Sequence, residues 1–203
     1  MLDGEKRSLI PDHHQYTESL KQISERKDSK CLIAMRLGCE MGLTRLEIVN
    51  ARISDIDRYH KRGLWIETAK QVRRGFKTNH AGAKKPKFEM RKREVPINAN
   101  FYQLLMNYID EGQKHILERK YGDFNKPFIP RYINYMYEKN NVPWSTHKSR
   151  HYYKNRIADW MRESRQVDLG LIKELMGHKK TVTEDYGSYS WDYKRDVIDR
   201  VVW

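Results

Sequence analysis

The chain of 203 residues carries 40 Lys and Arg against 27 Asp and Glu, which gives a formal net charge of +13. Its apolar runs are only a few residues long and its first residues lack an apolar stretch, so the sequence predicts neither a membrane span nor a signal peptide. Two cysteines, Cys31 and Cys39, exclude a disulfide framework and fit a reducing cytoplasm. The 13 Tyr, 5 Trp and 5 Phe favour a folded domain over a disordered basic tail. A folded basic domain points to a polyanion, most often nucleic acid, and the alternative is charge kept for solubility.

The first half of the chain is predicted to form helices and then a pair of strands. Apolar residues at helical spacing predict helices over 16–23, over 31–38 with a break near Gly42, and over 46–51. Residues rich in β-formers predict strands at 64–68 and 88–97. The basic segment between these strands, residues 71–87, is predicted to be a loop.

The second half is predicted to be helical. The predicted helices cover 101–120, 131–140, 145–163 and 168–176, with a short helix or turn at 181–189. Residues 191–203 carry a narrow apolar stripe. Helices around a small strand pair predict a mostly α fold of the α+β class. The domain is assigned to 16–190, after a flexible segment at 1–15 and before a tail at 191–203.

A cluster of His and Arg side chains occurs in the predicted helix at 145–163. His147 and Arg150 are three residues apart and share a face, with His151 beside them. Two His at i and i+4 are also compatible with zinc, but a metalloprotease needs Glu where this chain has Lys148. Arginine offers a planar fork to phosphate oxygens and histidine transfers protons near neutral pH, so the pattern favours a phosphate ester. The alternative is a solvated basic helix face.

A second motif follows downstream, with Gly177 and His178 after an apolar helix, and then Thr183-Glu184-Asp185-Tyr186. The ordered set H-x-x-R-H, L-x-G-H and T-x-x-Y resembles the catalytic domain of the tyrosine recombinases, the phage-integrase family. The resemblance implies a helical catalytic domain with a small antiparallel hairpin. It implies that His147, Arg150 and His178 surround a phosphate and that Tyr186 is the nucleophile. The nearby Tyr189 stays open as an alternative nucleophile.

The resemblance also implies a lysine on the hairpin and an arginine in the first motif. Lys70, at the end of the first predicted strand, matches the lysine, with Lys85 and Lys87 as alternatives. The family pattern Gly-Leu-Arg-x-x-Glu is altered here, because Gly42-Leu43 is followed by Thr44 and then Arg45. A shift of one residue turns a side chain by about 100° on a regular helix. Arg45 is still chosen as the first arginine, with Arg36 and Arg52 as substitutes, and Glu47 matches the acidic residue that braces the site.

The implied reaction is DNA strand cleavage and rejoining through a covalent 3′-phosphotyrosine. Arg45 and Arg150 would hold the scissile phosphate, and His147 would accept the Tyr186 proton. Lys70 would protonate the leaving 5′ oxygen, and His178 would donate a hydrogen bond to the phosphate. No metal and no cofactor are implied. Two alternatives remain: strand relaxation like that of type IB topoisomerases, and a DNA-binding module without catalysis.

The implied partner is double-stranded DNA, bound as a homotetramer, with a monomer as an option for the free protein in the cytoplasm. Backbone phosphates are expected to be contacted by basic side chains of the segment between the strands and of the His-Arg helix. These are Arg73, Arg74, Lys77, Lys84, Lys85, Lys87 and Lys148. The N-terminal domain that completes the DNA clamp in this family is missing, so a catalytic fragment or part of a split integrase of a mobile element, such as a virus or plasmid, is expected. The tail is expected to pack on its own domain or on a neighbouring subunit.

Overall fold

The computed structural model describes residues 10–57, 62–78, 84–121, 124–166, 168–177 and 189–203. The helices among them are α1 (His13–Glu25), α2 (Ser29–Cys39), α3 (Arg45–Asn50), α4 (Ala99–Tyr108), α5 (Pro130–Lys139), α6 (Thr146–Glu163), α7 (Leu169–Leu175) and α8 (Trp191–Arg200). The strands are β1 (Ile56–Asp57), β2 (Gly63–Thr78), β3 (Lys84–Pro96), β4 (Glu118–Tyr121) and β5 (Phe124–Pro127). The predicted mostly α fold of the α+β class is confirmed, as are the helices at 131–140, 145–163 and 168–176. The predicted turn at 181–189 lies, except for Tyr189, outside the described residues.

Helix α2 lies at the centre of the larger core because it is apolar around most of its circumference. Its residues from Cys31 to Cys39 are largely buried, and α6 packs across it. Gly38 permits the close crossing, since a Cβ atom there would lie 2.9 Å from Cβ of Ser149. The Ser149 hydroxyl is buried and accepts a hydrogen bond from Trp144 Nε1 at 3.1 Å. This contact fixes the rotation of α6 and therefore the direction of the next residue, Arg150.

The three-stranded antiparallel sheet has the order β1-β2-β3. Ile66 pairs with Arg93 and Leu64 pairs with Val95, so these four residues share the inward face of the sheet. The predicted loop at 71–87 is wrong over most of its length, because β2 continues to Thr78 and β3 begins at Lys84. The outer parts of β2 and β3 pair through main-chain hydrogen bonds, which do not depend on the charge of the side chains. The pairing shifts register between Val72 and Lys77, as at a β-bulge.

The single helix predicted over 101–120 is also wrong. Helix α4 ends at Tyr108, and the chain turns through Gly112 with a φ of +82°. His115 then forms a bridge with Arg52, and β4 pairs with β5 as a separate hairpin. The helix ends because Ile109 takes an extended backbone, three residues before Gly112, and the following residues pair with the chain near Arg52 instead. The apolar spacing on both sides would also be compatible with one continuous helix.

Helix α8 packs on its own chain. Val197, Ile198 and Val201 are buried with apolar side chains of α6 and α7 in a second, smaller core. Asp199 forms an ion pair with Arg62 at the base of the hairpin and accepts a hydrogen bond from the main-chain nitrogen of Ala99 at 3.0 Å. The tail therefore joins the hairpin, α4 and the second core.

We expect Gly42→Ala to destabilise the fold more than Gly112→Ala does. Gly42 has a φ of +64°, and a Cβ atom there would lie 2.9 Å from Tyr153 Cε1 and closer still to Cδ1. Gly112 also has a positive φ, but among the described residues nothing beyond its two chain neighbours would lie within 4 Å of an added Cβ atom. The Gly112 variant is therefore expected to lose about 1 kcal/mol in free energy of unfolding, from backbone strain alone. The Gly42 variant is expected to lose a further 1–3 kcal/mol, roughly, from overpacking against Tyr153. Urea unfolding of both variants measures the difference, and equal losses would contradict the packing argument.

Candidate active site

The candidate site is built on the first turn of α3. Thr44 caps this helix, since its hydroxyl accepts a hydrogen bond from the main-chain nitrogen of Glu47 at 3.3 Å. In return, the nitrogen of Thr44 donates to Oε2 of Glu47 at 2.7 Å. The capping box directs the Glu47 carboxylate inward, where the residue is only 3% exposed. A carboxylate buried to this degree requires cationic partners to remain ionised.

Two guanidinium groups face this carboxylate. Arg93 Nη1 donates to Oε1 of Glu47 at 2.8 Å, and Arg93 Nη2 donates to Oε2 at 3.2 Å. Arg150 Nη1 lies 3.7 Å from the same Oε2 atom. We call Glu47, Arg93 and Arg150 the guanidinium cluster. It brings together one negative and two positive charges from α3, β3 and α6, so one positive charge remains for an anion to compensate.

Arg150 also binds main-chain carbonyl groups on both sides of the cluster. Its Nη1 donates to the carbonyl oxygen of Gly42, and its Nη2 donates to that of Met176. Burial lowers the pKa of Arg150, and the charge of Arg93 lowers it further, while the charge of Glu47 raises it. The side chain is thereby held between the turn before α3 and the C-terminal end of α7, directly before His178.

A pair of histidines lies on α6 beside Arg150. His147 Nε2 and His151 Nε2 are 3.0 Å apart, and their rings meet edge to face with centroids 4.6 Å apart. One ring nitrogen must donate a hydrogen bond and the other must accept it, so the contact requires that at least one ring be neutral. His147 is exposed, and His151 is half-buried. Because at least one ring of the pair is neutral and His147 is exposed, the pair is suited to accept a proton.

We expect His147→Gln to raise the pKa of His151. Partial burial lowers the His151 pKa, and the neighbouring charge of His147 lowers it further, followed by Lys148, Lys154 and Arg150. Removing His147 eliminates one of these causes and moves the pKa back toward its ordinary value. An NMR titration of the imidazole signals measures this shift. Arg200→Gln is the control, because Arg200 pairs with Asp196 in α8 and is not among the charges that shift the His151 pKa. This variant is expected to leave the His151 pKa where it was.

The predicted first arginine lies apart from the cluster. Arg45 is the first residue of α3 and is exposed. It is two residues from Glu47, and residues at that spacing do not share a helix face. No hydrogen bond or ion pair among the described residues joins Arg45 to Glu47 or Arg150.

The two substitutes for Arg45 are also placed elsewhere. Arg36 pairs with the buried Glu40 at 2.6 and 3.0 Å and lies over the ring of Phe101. Arg52 is exposed and pairs through its main chain with His115. Neither guanidinium takes part in the guanidinium cluster described above.

The predicted lysine and most predicted DNA contacts lie on the hairpin. Lys70 is in β2, paired through its main chain with Glu89 of β3. Six further basic residues follow on the same two strands: Arg73, Arg74, Lys77, Lys84, Lys85 and Lys87. The side chains of all seven lie outside the described part of the structure, and their roles stay predictions. Lys148 is half-buried in the first turn of α6.

His178 and the predicted nucleophile Tyr186 lie outside the described residues, so their roles stay predictions. The alternative, Tyr189, donates a hydrogen bond from its hydroxyl to Oδ1 of Asp168, the N-cap of α7, at 2.5 Å. Burial and this hydrogen bond raise the pKa of Tyr189 to about 12. Arg150 binds the opposite end of α7, about 10 Å away at 1.5 Å per residue, so Tyr189 is poorly placed for attack beside Arg150.

The described residues contain no group of three or more His, Cys, Asp and Glu side chains that could hold a metal ion. In the same part of the chain, no helix has both the length and the apolar character needed to cross a bilayer.

Sequence reasoning did not select Arg93, although the strand pattern contains a signal. Arg93 precedes Val95 and Ile97 at alternating positions, which places a charged residue in phase with two buried ones. An arginine on an inward strand face needs a buried anionic partner. That partner is Glu47, which is 46 positions away in the sequence.

No family model and no curated protein matches the chain. Solved structures do match. The chain superposes on XerA recombinase with a TM-score of 0.58 and 14% identity, covering 96% of this chain and 66% of that one. It superposes on the integrase of mycobacterium phage Brujita with a TM-score of 0.56 and 13% identity, covering 86% and 52%.

A third match is the integrase of transposon Tn1549 in complex with transposon right-end DNA, with a TM-score of 0.56 and 16% identity, covering 95% of this chain and 66% of that one. At these identities the three matches establish the fold, which is that of the tyrosine recombinases and integrases. The chain spans between 52% and 66% of the length of these proteins.

Proposed function

We propose that the chain is the catalytic domain of a site-specific DNA recombinase that cleaves and rejoins DNA through a covalent 3′-phosphotyrosine. The observation that carries the proposal is the guanidinium cluster, in which two largely buried arginines share one carboxylate. Its surplus positive charge suits a phosphodiester, which carries one negative charge. The recombinase fold and the sequence order His147, Arg150, His178, Tyr186 support the same reading.

In the proposed reaction, Tyr186 Oη attacks the phosphorus atom and the bond from phosphorus to the 5′ oxygen breaks. Charge builds on the two non-bridging oxygens during attack, and Arg150 stabilises it from its fixed position. His147 accepts the phenolic proton, Lys70 donates a proton to the leaving 5′ oxygen, and His178 donates a hydrogen bond to the phosphate. A free 5′ hydroxyl reverses the reaction, which permits strand exchange without an external energy source.

The proposed substrate is double-stranded DNA, and the structurally similar Tn1549 integrase is seen in complex with transposon right-end DNA. The net charge of +13 and the basic residues of β2 and β3 support contact with the phosphate backbone. Assembly as a homotetramer on DNA, a location on DNA in the cytoplasm and service to a mobile element are parts of the same proposal.

A second candidate function is a DNA-binding module without catalysis. The observation that favours it is the first motif, where Thr44 takes the arginine position and serves as a helix cap. Arg45 is exposed on the side of α3 away from Glu47. A chain that lacked a second arginine at the phosphate would bind DNA and cleave it poorly.

Covalent capture tests the proposal. The chain is incubated with duplexes of randomised sequence that carry a nick in one strand, so that a short 5′-hydroxyl fragment leaves after cleavage and the complex is trapped. We expect a complex that survives SDS, with DNA linked to the peptide that contains Tyr186. Tyr186→Phe abolishes it because the nucleophilic oxygen is missing, whereas Tyr189→Phe retains it.

The other outcomes separate the alternatives. Gel-shift binding without any covalent complex, across the whole pool, would contradict the proposal and favour the binding module. Relaxation of supercoiled plasmid without paired sites would favour activity like that of a type IB topoisomerase.

A further inference from the structure

We infer that Arg93, rather than Arg45, supplies the second guanidinium that holds the scissile phosphate beside Arg150. The inference rests on the proposed function and identifies a residue that the family motifs do not. It starts from the position of Arg93 on the inward face of β3, opposite the buried Ile66. Only 14% of the Arg93 side chain is exposed, although arginines on strands normally extend into solvent.

The pairing with Glu47 leaves one edge of Arg93 available. Both bonds to the carboxylate come from the terminal nitrogens, at 2.8 and 3.2 Å, so the carboxylate binds the guanidinium end-on. The Nε hydrogen and one Nη hydrogen form a second edge with the fork geometry that suits two oxygens of a phosphate. Nε is buried and has no hydrogen-bond partner among the described residues. Glu47 thus holds Arg93 in place without using the edge that would bind the anion.

Arg93 and Arg150 converge on consecutive residues at the end of α7. A Cβ atom on Gly177 would lie 2.8 Å from both Cδ and Nη1 of Arg93, so any larger residue at position 177 would have to displace the end of the Arg93 side chain. Arg150 donates to the carbonyl oxygen of the preceding residue, Met176. The next residue in the chain is His178. Both guanidinium groups therefore lie at the start of the segment that carries the proposed phosphate ligand and nucleophile.

The charges favour the same assignment. Arg93 is close enough to Arg150 to lower the pKa of Arg150, and the single carboxylate of Glu47 lies between the two groups. A pair of guanidiniums that shares one carboxylate keeps a net positive charge, whereas a single guanidinium paired with a carboxylate is neutral. The pair therefore forms the stronger anion site. Arg45 has the opposite placement, exposed on a helix face that Glu47 does not share.

The experiment compares capture rates on a substrate selected by the covalent assay. We expect Arg93→Ala to slow capture by about 10²–10³-fold and Arg45→Ala to slow it less. Lys92→Ala is the matched control, since Lys92 is the adjacent residue of β3, lies on the outward face and is 71% exposed. It removes the same charge from the same strand, and its capture rate stays close to that of the unmodified chain.

A second substrate separates contact with the phosphate from a structural role. It carries a methylphosphonate at the scissile position, where a methyl group replaces one charged oxygen. If Arg93 compensates that charge, the defect of Arg93→Ala shrinks at least tenfold on this substrate. A purely structural role would leave the defect the same on both substrates and would overturn the inference.

Two further variants keep the test decisive if Arg93→Ala fails to fold. Arg93→Lys retains a charge for Glu47 but not the fork, and we expect an intermediate rate. The double variant, Arg93→Ala with Glu47→Gln, also removes the buried carboxylate that the first change would leave without Arg93. Its capture defect is expected to shrink on the methylphosphonate substrate in the same way. Capture by the unmodified chain together with undiminished rates in the Arg93 variants overturns the inference alone. Absence of capture by the unmodified chain overturns the proposed function, and the inference with it.

Discussion

Arg150→Ala is expected to slow covalent cleavage by about 10²–10³-fold, because it removes a preorganised donor from the phosphate. Arg150 is fixed before DNA arrives, since its two terminal nitrogens donate to the carbonyl oxygens of Gly42 and Met176. It therefore needs no reorganisation when charge develops on the phosphate oxygens. Single-turnover capture on the selected nicked substrate measures the loss, and gel-shift affinity is expected to change far less than the rate.

Two variants accompany this measurement. Arg150→Lys keeps the charge but cannot bind both carbonyl groups in the same fork, so it is expected to recover only part of the rate. Arg162→Ala removes a charge from the C-terminal turn of the same helix, where the side chain is 71% exposed, and is expected to leave the rate unchanged. A cleavage rate in Arg150→Ala equal to that of the Arg162 variant would refute the assignment of Arg150.

Glu47→Ala is expected to lower the free energy of unfolding by about 3–5 kcal/mol, because it leaves two buried guanidiniums without their counter-charge. Glu47 is 2% exposed as a side chain, against 14% for Arg93 and 12% for Arg150. The repulsion between the two arginines is then no longer balanced within the cluster. The variant also loses the capping box that starts α3. Urea unfolding followed by circular dichroism measures the change.

Glu67→Ala is the matched control for stability. Glu67 pairs with Lys92 at 3.5 Å on the outward face of the sheet, where the two side chains are 51% and 71% exposed. Exposed pairs contribute about 0–1 kcal/mol, so the control is expected to lose little. Sulfate or phosphate is expected to restore part of the stability of Glu47→Ala, by placing an anion between the arginines. The charged cluster would be contradicted if Glu47→Ala lost no more stability than Glu67→Ala. It would also be contradicted if sulfate and phosphate left the stability of Glu47→Ala unchanged.

The sequence was sufficient to predict those parts of the fold in which local spacing and tertiary packing agree. Helices α5, α6 and α7 follow from their apolar periodicity, and Arg150 lies on α6 as that periodicity predicts. The helix predicted over 101–120 failed because the backbone becomes extended at Ile109 and His115 then bridges to Arg52, a tertiary contact that apolar spacing does not show. The loop at 71–87 failed because strand pairing depends on a partner strand and not on the charge of the side chains.

The candidate site was predictable only in part, for a related reason. Motif spacing identifies residues that act from one helix, such as His147 and Arg150. Arg93 reaches Glu47 through the pairing of β3 with β2 and the packing of the sheet on α3, so the contact depends on tertiary structure. Local sequence offered Arg45 instead, and a capping threonine at position 44 turns that residue outward.

The docking of α8 has a kinetic consequence for assembly. A protomer that passed this helix to a neighbour would first have to release Asp199 from Arg62, Lys194 from Glu174 and the Trp203 ring from the face of Tyr153. Helix exchange would therefore be an activated step, slower than diffusional encounter of two subunits. Elevated salt would accelerate it by screening the two ion pairs, while leaving the aromatic stack in place.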